Sequence, residues 1–303
     1  MLPVLLLSFT MCSDWNEPET VDMEIRNPKE QDPTLWARYM ETLRTYKQSA
    51  HFITYTRFDN AAEKPVNEGA YLRSLPDSLD IVSIANSDRI TDYDREDIPL
   101  LQEKSTRVLY LVDYAAQSGT LPDAAKLGAY LDKAVASAAE LKLDGFAFTG
   151  IPLYGGSEAE LSWRAEAAKL IVSKLSAAAG QDKLLVFEGD PAFLDKADLP
   201  KLDWIVLNTA DTDNITELKL RVARALSYSG LGKEKLLLGA KMGNQITDEN
   251  NVEQDAIAAM PDRVASLGPL GGLAIYAVGD DYYHEKMNYG TIRTAIQLMN
   301  PSN

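Results

Sequence analysis

The sequence predicts an α/β protein made of a single (β/α)8 TIM barrel, on three observations. Eight short apolar runs, rich in Val, Ile, Leu or aromatics and bounded by turn residues, fall at 51–58, 80–86, 107–114, 145–151, 184–188, 204–208, 236–242 and 272–278. Helical patterns separate them, clearest at 124–143, 158–179, 215–229, 251–267 and 289–299, and strands alternating with helices build a parallel sheet. The 303 residues suit one such barrel, a fold that commonly runs to roughly 250 residues as one domain. An open, doubly wound sheet is disfavoured because no Gly-rich phosphate loop follows the first run.

Residues 1–11 are almost wholly apolar and lead into Cys12, the only cysteine of the chain. The run is too short to span a bilayer. It reads as a signal peptide with Cys12 as a lipoprotein acylation site, although no Lys or Arg precedes it and Met11 is bulky for the position before such a cysteine. Residues 12–34 open on Ser-Asp-Trp-Asn-Glu-Pro-Glu and read as an acidic tether; residues 35–303 are the barrel. The first unit is weak, because 61–75 contains Pro65 and Gly69, and the fifth, 191–201, is short. Ser157 with Glu160 forms a capping box ahead of the fourth helix and Gly180 stops it. Asp213 or Asn214 caps the next.

Thirty basic and 45 acidic residues leave a net charge of −15, which repels nucleic acid and anionic lipid and suits a neutral or weakly charged ligand. No nucleic-acid partner is expected, and the membrane is reached through the lipid anchor alone. With two histidines, His51 and His284, no zinc site of usual composition can be built. A Ser-His-Asp triad fails as well, since His51 precedes the first strand and no Gly-x-Ser-x-Gly elbow exists. Thr209-Ala-Asp-Thr-Asp-Asn214 lacks the glycine and glutamate of a calcium loop. No metal and no cofactor are expected.

Barrels bind at the C-terminal ends of their strands. Those positions carry Arg57, Asp59, Asn86, Asp113, Tyr114, Thr149, Tyr154, Glu188, Asp190, Asn208, Asp211, Lys241, Asn244, Tyr276, Asp280, Asp281, Tyr282 and Tyr283. The mixture suits a sugar, whose hydroxyls need amide and carboxylate partners and whose ring faces lie on aromatics. The ligand-binding candidates are Asp113, Tyr114, Tyr154, Glu188, Asn208, Asn244, Tyr276, Asp281 and Tyr282; each could instead serve as a cap or turn residue.

Leu143-Asp-Gly-Phe-Ala-Phe-Thr-Gly-Ile-Pro152 reads as a buried strand with Phe146 and Phe148 on one face and Ala147, Thr149 and Ile151 on the other. Its Asp144-Gly145-Phe146 opening resembles the signature strand of glycoside hydrolase family 18, the chitinases and endo-β-N-acetylglucosaminidases, which runs Asp-Gly-x-Asp-x-Asp-x-Glu. The resemblance places the inner aspartates at Ala147 and Thr149 and the general-acid glutamate at Ile151, so all three carboxylates are missing. Ser74-Leu-Pro-Asp-Ser-Leu-Asp-Ile-Val-Ser83, Arg107-Val-Leu-Tyr-Leu-Val-Asp-Tyr114, Gly272-Leu-Ala-Ile-Tyr276 and Tyr289-Gly-Thr-Ile-Arg-Thr-Ala-Ile-Gln-Leu-Met-Asn-Pro301 extend it to the lipoprotein branch found in glycan-utilisation systems of gut bacteria. The tyrosine that the family places on the sixth strand has no counterpart in Val206-Leu-Asn-Thr-Ala-Asp211. Asp14 and Glu17 loosely resemble the signal that exports such lipoproteins to the cell surface.

Family hydrolysis is substrate-assisted: the glutamate protonates the glycosidic oxygen while the acetamido oxygen, oriented by an aspartate, attacks the anomeric carbon. Losing the acid alone costs roughly 100- to 10,000-fold in rate. The resemblance therefore implies an outer-membrane, cell-surface lipoprotein that binds a glycan, such as an N-acetylglucosamine-containing host N-glycan, without cutting it. A working endo-β-N-acetylglucosaminidase that recruits Asp113, Glu188 or Asp190 is the alternative. A partner subunit of an outer-membrane uptake complex, with no ligand in the barrel mouth, is a third reading.

Overall fold

The computed structural model describes residues 27–301 apart from Ala62 and Ser229. The expected signal peptide, Cys12 and most of the expected tether lie outside the described residues. The chain forms two compact units, one ending at Tyr39 and one beginning at Met40. In the first, Asn27 caps the one-turn helix Pro28–Gln31 by a capping box with Glu30, and the helix Pro33–Gln48 begins.

From Met40 onward the chain is a closed barrel of eight parallel strands. We number them β1 (Ile53–Phe58), β2 (Ile81–Ile84), β3 (Arg107–Val112), β4 (Gly145–Thr149), β5 (Leu184–Glu188), β6 (Trp204–Leu207), β7 (Leu236–Lys241) and β8 (Gly272–Tyr276). β1 pairs with both β2 and β8, which closes the sheet.

Period-two alternation fills the interior. Tyr55, Leu109, Leu111, Ala147, Val186, Val206, Leu237 and Ala274 pack inside, while Phe146 and Phe148 belong to the larger layer between strands and helices. Three aspartates that precede strands fasten their neighbours from below: Asp80 Oδ2 accepts from Thr54 N at 2.8 Å, Asp144 Oδ2 from Val108 N at 2.9 Å and Asp203 Oδ2 from Leu185 N at 2.8 Å. The acid that opens the family-like signature is thus a structural clamp. Gly145 follows it with φ +148°, and a Cβ there would lie 2.0 Å from Leu184 O, so only glycine fits.

Helices Ala124–Glu140, Glu158–Ala179, Ile215–Leu226, Ala256–Ser266 and Gly290–Met299 occupy the expected places, the second with the expected bounds and the others shorter. Ser157 and Glu160 make the capping box, Gly180 ends that helix at φ +64°, and Asn214 is the cap before Ile215. The helix Asp92–Glu103 was not foreseen; Pro99 and scattered acids obscure its apolar stripe. The start expected at residue 251 is instead an antiparallel pair, Gln245–Thr247 with Glu253–Asp255. After β1 and β5 only 3-10 turns form, as Pro65 and the short fifth unit foreshadow.

Candidate functional site

The C-terminal ends of the strands open into a cleft of about 1080 Å³. Arg57, Asp113, Thr149, Glu188 and Tyr276 all line it, each within one residue of the C-terminal end of its own strand. These five groups, with Tyr55 below them, form one polar network. Arg57 Nη2 donates to Asp113 Oδ2 in an ion pair, and Arg57 Nη1 lies 3.8 Å from Glu188 Oε2. Thr149 Oγ1 donates to Asp113 Oδ1 at 2.7 Å and accepts from Ala115 N at 2.9 Å. Asp113 also caps the turn of helix Tyr114–Gln117, accepting from Ala116 N at 3.3 Å.

Glu188 is 5% exposed. Its Oε1 accepts from Tyr55 Oη at 2.5 Å and its Oε2 from Tyr276 Oη at 2.9 Å. Burial pushes the Glu188 carboxyl up, while Arg57 and the two phenols hold it down. Burial and the Glu188 charge raise both phenols well above their ordinary value, so they stay neutral donors. Burial lowers the Arg57 guanidinium, but Glu188 and Asp113 outweigh that and keep it charged. The floor of the cleft therefore carries a fixed cation.

The wall is built differently. Tyr154 Oη donates to Asp190 Oδ2 at 2.7 Å, and Asp190 Oδ1 accepts from Ala192 N at 2.9 Å. Arg164 pins the Tyr154 loop, its Nη1 donating to Pro152 O at 3.2 Å and Gly155 O at 2.8 Å. Helix Ile215–Leu226 turns Glu217, Leu220, Arg221 and Arg224 toward the cleft, and the Arg224 guanidinium sits 4.6 Å from the centre of the Tyr154 ring.

Of the nine ligand-binding candidates, Asp113, Tyr154, Glu188, Asn208 and Tyr276 line the cleft. The other four do not. Tyr114 is buried in the core, stacked on Phe193 with ring centres 5.7 Å apart. Asn244 Nδ2 donates to Ala210 O at 2.9 Å. Buried Asp281 accepts from Ile292 N at 3.0 Å and so holds the last helix. Tyr282 packs edge-on against Tyr283 and Tyr289. The positions that the family resemblance assigns to carboxylates divide likewise: Ala147 is wholly buried inside the barrel, Thr149 is on the floor, and Ile151 lies two residues beyond the end of β4, between the cleft-lining Gly150 and Pro152. Sequence reasoning missed Tyr55, which looks like plain strand core, and the cleft face of helix Ile215–Leu226. Charged residues at 217, 221 and 224, on one helical face, were the available signal. Among the described residues no group of three or more His, Cys, Asp or Glu could hold a metal ion, and no helix is long and apolar enough to cross a membrane.

Residues 16–123 match the family model for glycoside hydrolase family 18, BT1044-like. No curated protein matches the sequence. Among solved structures, a selenomethionine form of BT1044 with one Glu-to-Gln substitution superposes with a TM-score of 0.72 at 19% identity, over 91% of this chain and 96% of that one. The endo-β-N-acetylglucosaminidase of Cordyceps militaris gives 0.64 at 18% identity, over 87% and 96%. A double mutant of that enzyme, in complex with fucosyl-N-acetylglucosamine-Asn, gives 0.65 at 18% identity, over 86% and 95%. At these identities the structural likeness is one of fold. With the family match, it makes the chain glycoside hydrolase family 18-like.

Proposed function

We propose that this family 18-like barrel, related to BT1044, is a non-catalytic glycan-binding lipoprotein of the cell surface, serving a polysaccharide or N-glycan utilisation system. The observation that carries the reading is the floor of the cleft. Where the family resemblance places acids, Ala147 is sealed in the core, Thr149 spends its one proton on Asp113, and Ile151 can donate none.

Of the acids that an active enzyme would recruit on the floor and wall, Asp113 is bound to Arg57 and Thr149, and Glu188 and Asp190 are engaged as well. Both oxygens of Glu188 already accept phenol protons, and both oxygens of Asp190 are likewise engaged. The fucosyl-N-acetylglucosamine-Asn bound by a similar barrel supports an N-acetylglucosamine-containing N-glycan as the ligand class. Acylation at Cys12, an outer-membrane location and docking to an uptake complex complete the proposal, on the leader and tether composition.

Calorimetric titration with an N-acetylglucosamine-containing N-glycan tests the reading. Binding that weakens roughly ten-fold in Asp113→Ala supports it. Absence of binding across an N-glycan panel would sink it. Separately, a Cys12→Ser chain should leave the membrane fraction if that residue carries the anchor.

A further inference from the structure

Four cations line the cleft, and two of them are in ion pairs. Arg57 is paired with Asp113, and Arg221 Nη2 lies 2.6 Å from Glu217 Oε1. Lys241 stands on the opposite side of the cleft, at the end of β7. Arg224, one turn beyond Arg221, has no ion-pair partner among the described residues.

Its guanidinium is nevertheless placed. It lies over the Tyr154 ring, and that ring is fixed at its hydroxyl by Asp190 and along its loop by Arg164. The ring covers one side of the exposed guanidinium, whose N–H groups form the fork that matches a planar or tetrahedral oxyanion in two-point contact. Holding the fork in advance lowers the ordering cost of binding.

Resting on the glycan-binding reading above, we propose that Arg224, held over the Tyr154 ring, reads an oxyanion carried by the glycan, either a carboxylate or a sulfate ester. The chain-wide charge of −15 opposes an anion at long range, but that field is screened within about 8 Å in physiological salt, so the contact decides. The nearest acid through Tyr154 is Asp190, whose two oxygens accept from Tyr154 Oη and Ala192 N. These bonds spread its charge.

The test is calorimetric titration of the full chain with three forms of one biantennary N-glycan: sialylated, desialylated, and desialylated with 6-O-sulfated N-acetylglucosamine. Wild type should bind a charged form roughly ten-fold more tightly than the neutral one, the size of one charge-assisted contact, and the preferred arm identifies carboxylate or sulfate. Arg224→Gln should erase that preference, so that the charged and neutral forms bind alike. Arg224→Lys should retain only part of it, because a point charge lacks the fork. Equal binding of all three forms by wild type, or a preference that survives in Arg224→Gln, overturns the inference and leaves the glycan reading standing. Binding of none of the three overturns both.

Discussion

Thr149 Oγ1 donates to Asp113 Oδ1 across 2.7 Å, so the last residue of β4 fastens the residue that follows β3. Asp113 in turn pairs with Arg57 and caps the helix turn Tyr114–Gln117. A strand end that the family resemblance assigns to acid chemistry here closes a hydrogen-bonded network within the protein.

That network predicts the cost of opening it. Asp113→Ala leaves Arg57 without its nearest partner and Thr149 without an acceptor. Because both charged side chains are about a quarter exposed (25% for Arg57, 24% for Asp113), the loss should be moderate, about 2 kcal/mol, below the figure for a fully buried pair. Urea denaturation followed by circular dichroism would measure it, and a change under about 0.5 kcal/mol, the usual range for surface substitutions, would show that the pair contributes nothing.

Restoring single family acids should not restore hydrolysis. Thr149→Asp would set a second carboxylate against Asp113, where like charges cannot both ionise cheaply. The variant should be destabilised by about 1–3 kcal/mol at pH 7 and recover toward pH 4 as the pair takes up a proton. Ile151→Glu should be silent in activity assays, since Ala147 and Thr149 still offer no aspartate to orient an acetamido group.

Removing the carboxyl of Glu188 should unsettle the floor. Glu188→Ala orphans the hydroxyls of buried Tyr55 and of Tyr276, and a loss of roughly 3 kcal/mol is expected. Glu188→Gln keeps the shape and removes the penalised charge. Since burial raises the Glu188 carboxyl, the native state favours its protonated form; this contribution is full below the unfolded value and is lost as pH rises through the folded one. Melting temperatures from pH 4 to 8 should therefore fall less in Glu188→Gln than in wild type.

At the opposite end of the barrel, His51 Nε2 lies 3.0 Å from Asp80 Oδ1 and Nδ1 lies 2.8 Å from Ser49 O. Both partners are acceptors, so the doubly protonated ring fits. The hydrogen bond to Asp80 raises His51, against burial and the Lys47 charge, with Asp80's charge and Ser49 adding to the rise. The stabilisation is present below the ordinary histidine value and is lost as pH rises through the higher folded one. His51→Gln should cost about 1.5 kcal/mol at pH 5.5 and less at pH 9; equal cost at both would show a neutral ring.

The barrel was legible because period-two apolar runs and capped helices state themselves locally: β5 begins and ends as expected, and Ser157, Gly180 and Asn214 act as read. Half-hidden elements were not, since Pro99 interrupts helix Asp92–Glu103 and the pair Gln245–Thr247 with Glu253–Asp255 is three residues a side. Within the site, strand position sufficed to bring Asp113, Glu188 and Tyr276 to the floor. It failed for Tyr114, Asp281 and Tyr282, because loop residues near a barrel mouth turn into the core when a ring or a helix end needs them. The contribution of Arg224 depends on the tilt of a helix over the cleft, which no local pattern encodes.

The central claim, binding without cleavage, is tested most directly by long incubation of the purified protein with N-glycoproteins, reading released glycan by mass spectrometry and bound glycan on the same sample. The account predicts retained glycan and no release. Release above that of a heat-inactivated control, abolished by Asp190→Asn or Glu188→Gln, would contradict it and make one of those carboxyls the proton donor.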